Sequence, residues 1–251
     1  MSFQERLEQR MRACGTSLCV GLDPRPESTE GNVEAFLLRV IDETCGVAAA
    51  YKPNVAYYEA MGREGWRILE RVREAIPEDI PVVLDAKRGD IGETQRYYAR
   101  ACFEVWRADA VTVNPFLGFD SVEPFLAYEG KGVYLLAVTS NPGSADLQTR
   151  MVEGRYVFEL VQDMALRAPP GSAGLVVGLT NARPEVLARL ADLPLLVPGL
   201  GAQGGELGRL PAWERKAPVL VNVSRGILYD EPERSFAEKA KSYADRIAGI
   251  F

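Results

Sequence analysis

The sequence alternates between strand-length apolar runs and longer segments with helical periodicity, and this alternation restricts the fold more than any other feature. Eight apolar runs span residues 17–23, 47–54, 81–87, 110–116, 132–140, 174–180, 193–199 and 218–224. Segments that repeat apolar residues every three or four positions lie between them, among them 33–43, 93–106, 156–167 and 232–250. This order predicts βαβ units, with a parallel sheet covered on its outer face by helices.

Eight strands in a chain of 251 residues predict one (β/α)8 barrel, or TIM barrel, that spans residues 1–251 as a single domain. About 250 residues is the usual size of this fold. We find no low-complexity linker; the nearest candidate, residues 169–172, is short enough to join a helix to a strand. We therefore expect the functional site at the carboxyl ends of the strands.

Charge and composition exclude several classes of protein. The formal net charge of −6 argues against a general nucleic-acid or membrane-surface binder. The four cysteines form no C-x-x-C pair, so we expect neither a zinc motif nor a redox motif. No apolar leader and no run of 18 apolar residues occurs, which predicts a cytoplasmic protein. Histidine is absent, so any proton transfer must use Lys, Asp, Glu, Tyr or Cys.

Polar side chains stand at or just past seven of the eight predicted strand ends. These residues are Asp23, Lys52, Asp85, Lys87, Asn114, Ser140, Gln203 and Arg225. Because the carboxyl ends of barrel strands meet on one face, scattered surface polarity is the weaker explanation for this pattern.

The third strand, PVVLDAKRGDIGET, carries the most information. Side chains alternate across a strand, so Asp85 and Lys87 should point into the barrel while Leu84 points away. A structural ion pair that closes the barrel top is one interpretation. The other is an ammonium held among carboxylates, since Asp90 follows in the next loop. Such a cluster would keep Lys87 protonated and would repel a substrate carboxylate placed beside it.

The loop PGLGAQGG at 198–205 fits the pattern G-x-G-x-x-G, which is typical of dinucleotide-binding domains. That interpretation is disfavoured, because the motif follows the seventh strand and too little chain remains for such a domain. TIM barrels often bind phosphate with the loops after strands seven and eight. Backbone N–H groups, the Gln203 amide and the Arg225 guanidinium therefore predict a phosphate site.

Residues 85–94, DAKRGDIGET, resemble the D-x-K-x-x-D-I-x-x-T signature of the orotidine 5′-phosphate decarboxylase family. Five further segments resemble the family in the same order: GLDP at 21–24, KPN at 52–54, TSNPGS at 139–144, PGLGAQGG at 198–205 and SRG at 224–226. The segment at 139–144 is similar to that of the longer bacterial subgroup.

The resemblance implies a homodimeric lyase of UMP biosynthesis that decarboxylates orotidine 5′-phosphate without a metal or organic cofactor. Lys87 would donate a proton to C6, and Asp85 would lie beside the substrate carboxylate. Lys52 would contact the ribose hydroxyls and join the charge network. Asp90 and Thr94 would complete the site of the other subunit.

The resemblance also implies which residues bind the rest of the substrate. Asp23 would contact the ribose hydroxyls, and Ser140 would hydrogen-bond the pyrimidine. Pro198 belongs to the loop that resembles the phosphate-binding one, in which Gln203 would hold the phosphate together with Arg225.

Two alternatives remain open at this point. A magnesium-dependent sugar-phosphate decarboxylase or synthase of the same superfamily is similar at the third strand, and carboxylates could hold Mg²⁺. The absence of histidine and the presence of Lys52 and of the Ser140 loop disfavour it. A non-catalytic nucleotide-binding barrel could dispense with Lys87 or Asp90, but both are present.

Overall fold

Eight parallel strands form the centre of the computed structural model, which describes residues 1–29, 31–180, 182–199 and 215–250. The barrel strands are β1 (Leu18–Leu22), β2 (Ala50–Pro53), β3 (Val83–Arg88), β4 (Ala110–Val113), β5 (Gly132–Val138), β8 (Ala173–Val177), β9 (Leu195–Pro198) and β10 (Val219–Val223). Each overlaps one of the predicted apolar runs. Their spatial order is β2-β1-β10-β9-β8-β5-β4-β3.

The two end strands of this sheet, β2 and β3, meet and nearly close it into a barrel. Parallel bridges join Tyr51 to Val82 and Asn54 to Asp85, and the Tyr51 N–H donates to Pro81 O at 3.0 Å. The prediction of a (β/α)8 barrel is therefore confirmed.

Helices cover the outside of the barrel, in the expected alternation. They are α1 (Phe3–Cys14), α2 (Val33–Thr44), α3 (Val55–Glu59), α4 (Gly62–Ala75), α5 (Gly92–Arg100), α6 (Glu123–Leu126), α7 (Ser144–Leu147), α8 (Val157–Arg167), α9 (Pro184–Leu187), α10 (Arg225–Leu228) and α11 (Phe236–Ala248). A π-helical turn, Ala101–Val105, extends α5. None of the helices in these ranges is long and apolar enough to cross a bilayer.

A short antiparallel hairpin between α7 and α8 was not predicted. Its strands are β6 (Met151–Val152) and β7 (Arg155–Tyr156). The two turn residues, Glu153 and Gly154, both have positive φ, at 50° and 80°. Tight hairpins favour this backbone because it matches the twist of the strands.

Helix α1 packs against the amino-terminal end of the barrel. Phe3 meets the ring of Tyr134 edge-on, with ring centroids 5.9 Å apart, and Leu7 is fully buried. Arg6 donates to Asp109 Oδ1 at 3.0 Å, which ties α1 to the barrel. The interior at this end is apolar and includes Cys19, Ala50, Val83, Ala110 and Leu220, each the first or second residue of its strand. The polar groups inside the barrel are therefore concentrated at the other end, where the strands terminate.

Candidate active site

The carboxylate of Asp85 lies between two ammonium groups at the carboxyl end of β3. Lys52 Nζ, from β2, is 2.7 Å from Asp85 Oδ2, and Lys87 Nζ is 2.6 Å from Asp85 Oδ1. Strand alternation had predicted that Asp85 and Lys87 share a face, and the structure brings them together. The Lys52 side chain is 4% exposed and the Asp85 side chain 11%, whereas Lys87 is 49% exposed. Lys87 is therefore the ammonium that a ligand in the barrel mouth can reach.

The pKa values of the buried pair move apart. Burial acts to raise the pKa of Asp85, but Lys52 and Lys87 outweigh it and hold that pKa well below its usual range. Burial acts to lower the pKa of Lys52, but Asp85 and then Asp23 outweigh it and raise that pKa. Asp85 is consequently a carboxylate and Lys52 an ammonium throughout the neutral pH range.

An irregularity in β3 sets the position of Lys87. Leu84 pairs with Val111 and Arg88 pairs with Val113, so three residues of β3 face one residue of β4. Lys87 has a φ of +45°, a left-handed backbone that costs roughly 1–2 kcal/mol for a residue with a Cβ. The bulge aims Lys87 into the mouth of the barrel instead of continuing the regular strand.

A cavity of about 370 Å³ opens at this point. Its lining residues are Lys52, Asp85, Lys87, Thr112, Leu136, Thr139, Ser140, Asn141, Gln148, Val176, Leu196 and Pro198. Charged groups thus stand on one side and apolar side chains on the other. Of the predicted site residues, Lys52, Asp85, Lys87, Ser140 and Pro198 line this cavity.

Asp23, Asn222 in β10 and Ser224 directly after β10 carry buried polar atoms without a hydrogen-bond partner in the described part of the chain. These atoms are Asp23 Oδ1, Asn222 Oδ1 and Ser224 Oγ. Gly21 makes room for two of them, because a Cβ there would lie 2.6 Å from the Ser224 Cβ and 3.2 Å from Asn222 Oδ1. Buried groups of this kind are normally satisfied by a ligand or water.

Ser140 is exposed just after β5, and the loop that carries it is fixed by side chains. The Thr139 N–H donates to Gln148 Oε1 at 2.7 Å, and Gln148 Nε2 donates to Thr139 Oγ1 at 3.0 Å. Gly178 lets this loop approach β8, because a Cβ there would lie 2.7 Å from Ser140 N. The loop is therefore a defined wall of the cavity.

Asp90 and Thr94 are not among the residues that line the cavity. The Asp90 carboxylate accepts a hydrogen bond from the N–H of Ile91, and Thr94 is exposed in the first turn of α5. Ile91 and Tyr97, on either side of Thr94, are 61% and 63% exposed. Two exposed apolar side chains therefore flank Thr94 on this surface.

The predicted phosphate residues are placed only in part. Gly199, which follows Pro198, has a φ of +75°, and its N–H donates to Asn222 O. Arg225 is exposed at the start of α10, directly after β10, and its guanidinium forms no salt bridge with any residue in the described ranges. Gln203 lies outside the described residues.

Thr112, Gln148 and Asn222 were not predicted as site residues. Thr112 and Asn222 are 1% and 6% exposed on inward-facing strand positions. The sequence did contain a signal for these two residues, because each is a polar residue within an apolar run, VTVN at 111–114 and LVNV at 220–223. A barrel interior is normally apolar, so such a residue indicates a site. Gln148 gave no such signal, because the short segment between α7 and β6 that carries it has no strong periodicity.

No group of three or more Asp, Glu or Cys side chains is arranged to hold a metal ion in residues 1–29, 31–180, 182–199 and 215–250. The carboxylate oxygens of Asp85 instead accept from Lys52, Lys87 and Thr112.

Known proteins share both the sequence and this architecture. Residues 16–240 match the orotidine 5′-phosphate decarboxylase / HUMPS family. A relative from Roseiflexus sp. (strain RS-1), named orotidine 5′-phosphate decarboxylase, is 44% identical over 98% of this chain and 96% of its own. One of the same name from Thermomicrobium roseum is 43% identical over 98% of this chain and 94% of its own.

A solved structure described as Leishmania donovani OMP decarboxylase is 40% identical, with a TM-score of 0.86. The similarity covers 100% of this chain and 98% of that one. Family match, full-length identity and fold agree, and this chain belongs to the orotidine 5′-phosphate decarboxylase / HUMPS family.

Proposed function

We propose that this protein decarboxylates orotidine 5′-phosphate to uridine 5′-phosphate in pyrimidine biosynthesis. The observation that carries the proposal is the Asp85 carboxylate bonded by two ammonium groups at the edge of a 370 Å³ cavity. Full-length relatives at 43–44% identity bear the name of this enzyme, which supports the choice of substrate.

Lys87 is the proposed proton donor. When the bond between C6 and the carboxylate breaks, CO₂ leaves and the electron pair stays on C6, in an orbital outside the ring π system. A fixed cation aimed at that carbon stabilises the developing charge. The Lys87 ammonium then transfers its proton to C6, which forms the C–H bond of the product, and the amine recovers a proton from solvent.

Asp85 and Lys52 prepare this step. Asp85 holds the Lys87 ammonium by a 2.6 Å contact, so little reorganisation accompanies the reaction. Its negative charge would also lie beside the substrate carboxylate and disfavour the ground state relative to the product. Lys52 neutralises Asp85 from the buried side and remains protonated, because its pKa is raised.

The proposed chemistry requires no cofactor. A pyridoxal or thiamine electron sink delocalises charge through a π system, which the in-plane orbital at C6 does not join. Mg²⁺ chemistry belongs to the alternative sugar-phosphate reaction. EDTA separates the two, because it should leave the decarboxylation of orotidine 5′-phosphate unchanged and would abolish a magnesium-dependent reaction.

The remaining substrate contacts follow from the positions of polar groups around the mouth. Asp23 Oδ1, a buried atom without a partner in the described part of the chain, is suited to a ribose hydroxyl. Ser140 lies on the cavity wall, within reach of the base. Arg225, together with Pro198 at the end of β9 and with Gln203, would hold the phosphate, whose binding energy can drive closure of the site.

We also propose a homodimer in which Asp90 and Thr94 complete the site of the partner subunit. Lys87 is half exposed in one chain, so its site has room for another carboxylate. The neighbouring apolar residues Ile91 and Tyr97 are exposed in the single chain and would be covered by an interface.

A subunit-mixing experiment tests this arrangement. Lys87→Ala and Asp90→Ala homodimers should each be inactive, but a mixed dimer contains one site with Lys87 from one chain and Asp90 from the other. Random exchange should restore roughly a quarter of wild-type activity. If mixing restores nothing while exchange is verified by mass, the shared site is wrong.

A cytoplasmic location is part of the proposal. The four cysteines are free thiols, and burial raises the pKa values of Cys19 and Cys102 to about 12, so neither is a reactive thiolate. Free thiols of this kind suit a reducing compartment.

The direct test of function is an ultraviolet assay. Purified protein is mixed with orotidine 5′-phosphate, and the absorbance change that accompanies loss of the conjugated carboxylate is followed. Uridine 5′-phosphate and CO₂ in equal amounts are the expected products. Absence of turnover in protein that is folded and binds uridine 5′-phosphate would overturn the proposed function.

A further inference from the structure

Thr112 is the single β4 residue that faces the bulge in β3. Between the paired residues on either side of the irregularity, β3 has residues 85, 86 and 87, and β4 has Thr112 alone. A bulge of this kind leaves backbone groups without their ladder partners. An unpaired N–H so close to a buried site must find another acceptor.

The Thr112 hydroxyl is that acceptor. Lys87 N–H donates to Thr112 Oγ1 at 2.9 Å, at the residue whose backbone has the positive φ. Regular pairing resumes directly afterwards, where Asn114 N–H donates to Arg88 O at 2.7 Å. The Thr112 hydroxyl thus binds the backbone N–H of Lys87, the residue at which the strand departs from regular geometry.

The same hydroxyl also reaches the charged centre. Thr112 Oγ1 donates to Asp85 Oδ1 at 2.9 Å, and this carboxylate oxygen also receives Lys87 Nζ at 2.6 Å. The Lys87 backbone, the Thr112 hydroxyl, the Asp85 carboxylate and the Lys87 ammonium therefore form a closed ring. The Thr112 hydroxyl thus binds the Lys87 backbone directly and the Lys87 ammonium through the Asp85 carboxylate.

We propose that Thr112 is a positioning residue that fixes the Lys87 ammonium for proton transfer; this rests on the proposed function. Thr112 is 1% exposed and acts through Lys87 and Asp85. Its loss should act on the step in which the ammonium must be aligned with C6, because alignment matters most in the transition state. Binding of the phosphate and ribose should change little.

Two substitutions separate this role from a packing role. Thr112→Val keeps the shape and removes the hydroxyl, and Thr112→Ser keeps the hydroxyl and removes the methyl group. We expect Thr112→Val to lower kcat at least about tenfold with KM within about twofold, which corresponds to loss of one hydrogen bond in the transition state. Thr112→Ser should remain within about threefold of the wild-type kcat.

Thr44→Val is the matched control. Thr44 is also fully buried, and its hydroxyl bonds Val40 O and the Tyr51 hydroxyl, away from the cavity. The Thr44→Val protein should lose stability, as the Thr112→Val protein does, but it should keep the wild-type kcat.

The outcomes are distinguishable. A Thr112→Val enzyme with wild-type kcat, or a Thr112→Ser enzyme as slow as Thr112→Val, would overturn the positioning role. A fall in kcat for Thr44→Val equal to that for Thr112→Val would also overturn it, since general destabilisation would then explain the loss. If wild-type protein does not decarboxylate orotidine 5′-phosphate, the proposed function itself fails.

Discussion

Replacing Lys52 with methionine tests the charge balance beneath the site, because it removes one of the two ammonium groups that bond Asp85. Both side chains are buried, at 4% and 11% exposure. Removal of one partner from a buried ion pair costs roughly 3–5 kcal/mol. Asp85 keeps its bonds from Lys87 and Thr112, and methionine fills most of the vacated volume. We therefore expect the lower end, a loss of about 3 kcal/mol in the free energy of unfolding.

The matched control is Lys241→Met, the same chemical change in a pair on the surface of α11. Lys241 lies 3.1 Å from Asp245, with both side chains more than 60% exposed. Such pairs contribute about 0.5 kcal/mol or less. Urea unfolding at pH 7 measures both variants against wild type, at equal m-values. A loss below about 1 kcal/mol for Lys52→Met would refute the reasoning about a buried, unbalanced carboxylate.

The loss should also depend on pH. Burial acts to raise the pKa of Asp85, but Lys52 and Lys87 lower it overall. A carboxylate with a lowered folded pKa stabilises the protein above its unfolded pKa of about 3.9, and this contribution disappears as the pH falls through the folded value. The difference between wild type and Lys52→Met should therefore be smaller at about pH 3 than at pH 7. An equal difference at both would contradict the electrostatic cause.

Two further predictions concern turnover. Arg225→Ala should lower kcat/KM for orotidine 5′-phosphate at least about tenfold, because a charge-assisted phosphate contact is lost; a ratio within about twofold of wild type would reject the phosphate assignment. At saturating substrate, Asp85 should give the kcat profile no acid limb above about pH 4, because its pKa is lowered; an acid limb between about pH 5 and 6 that arises from protonation of Asp85 would contradict this.

The barrel could be predicted from the sequence because each strand is a short apolar run, and seven of the eight runs have a polar residue at or just past their ends. Asp85 and Lys87 could be placed on one face because alternation needs only local sequence. The bulge was not predicted, since Thr112 marks a polar position in β4 but does not show how β4 pairs with β3. Its role depends on a strand pairing 25 residues away from Lys87.

Local sequence also did not predict the cavity wall formed by the loop after β5. Gln148 contacts Thr139 from the residue that follows α7. The hairpin after it has a turn, Glu153-Gly154, that is recognised by its backbone and not by apolar periodicity. The packing of α1 against the barrel was likewise invisible, because helical periodicity identifies an apolar face and not the surface it covers.

The most direct test of the account is the rate of Lys87→Ala with orotidine 5′-phosphate, measured beside its affinity for uridine 5′-phosphate. The Lys87 side chain is half exposed, so its removal should leave the barrel folded. We expect no detectable decarboxylation together with retained binding of the nucleotide. Decarboxylation within about tenfold of the wild-type rate would contradict it, because another group would then supply the proton.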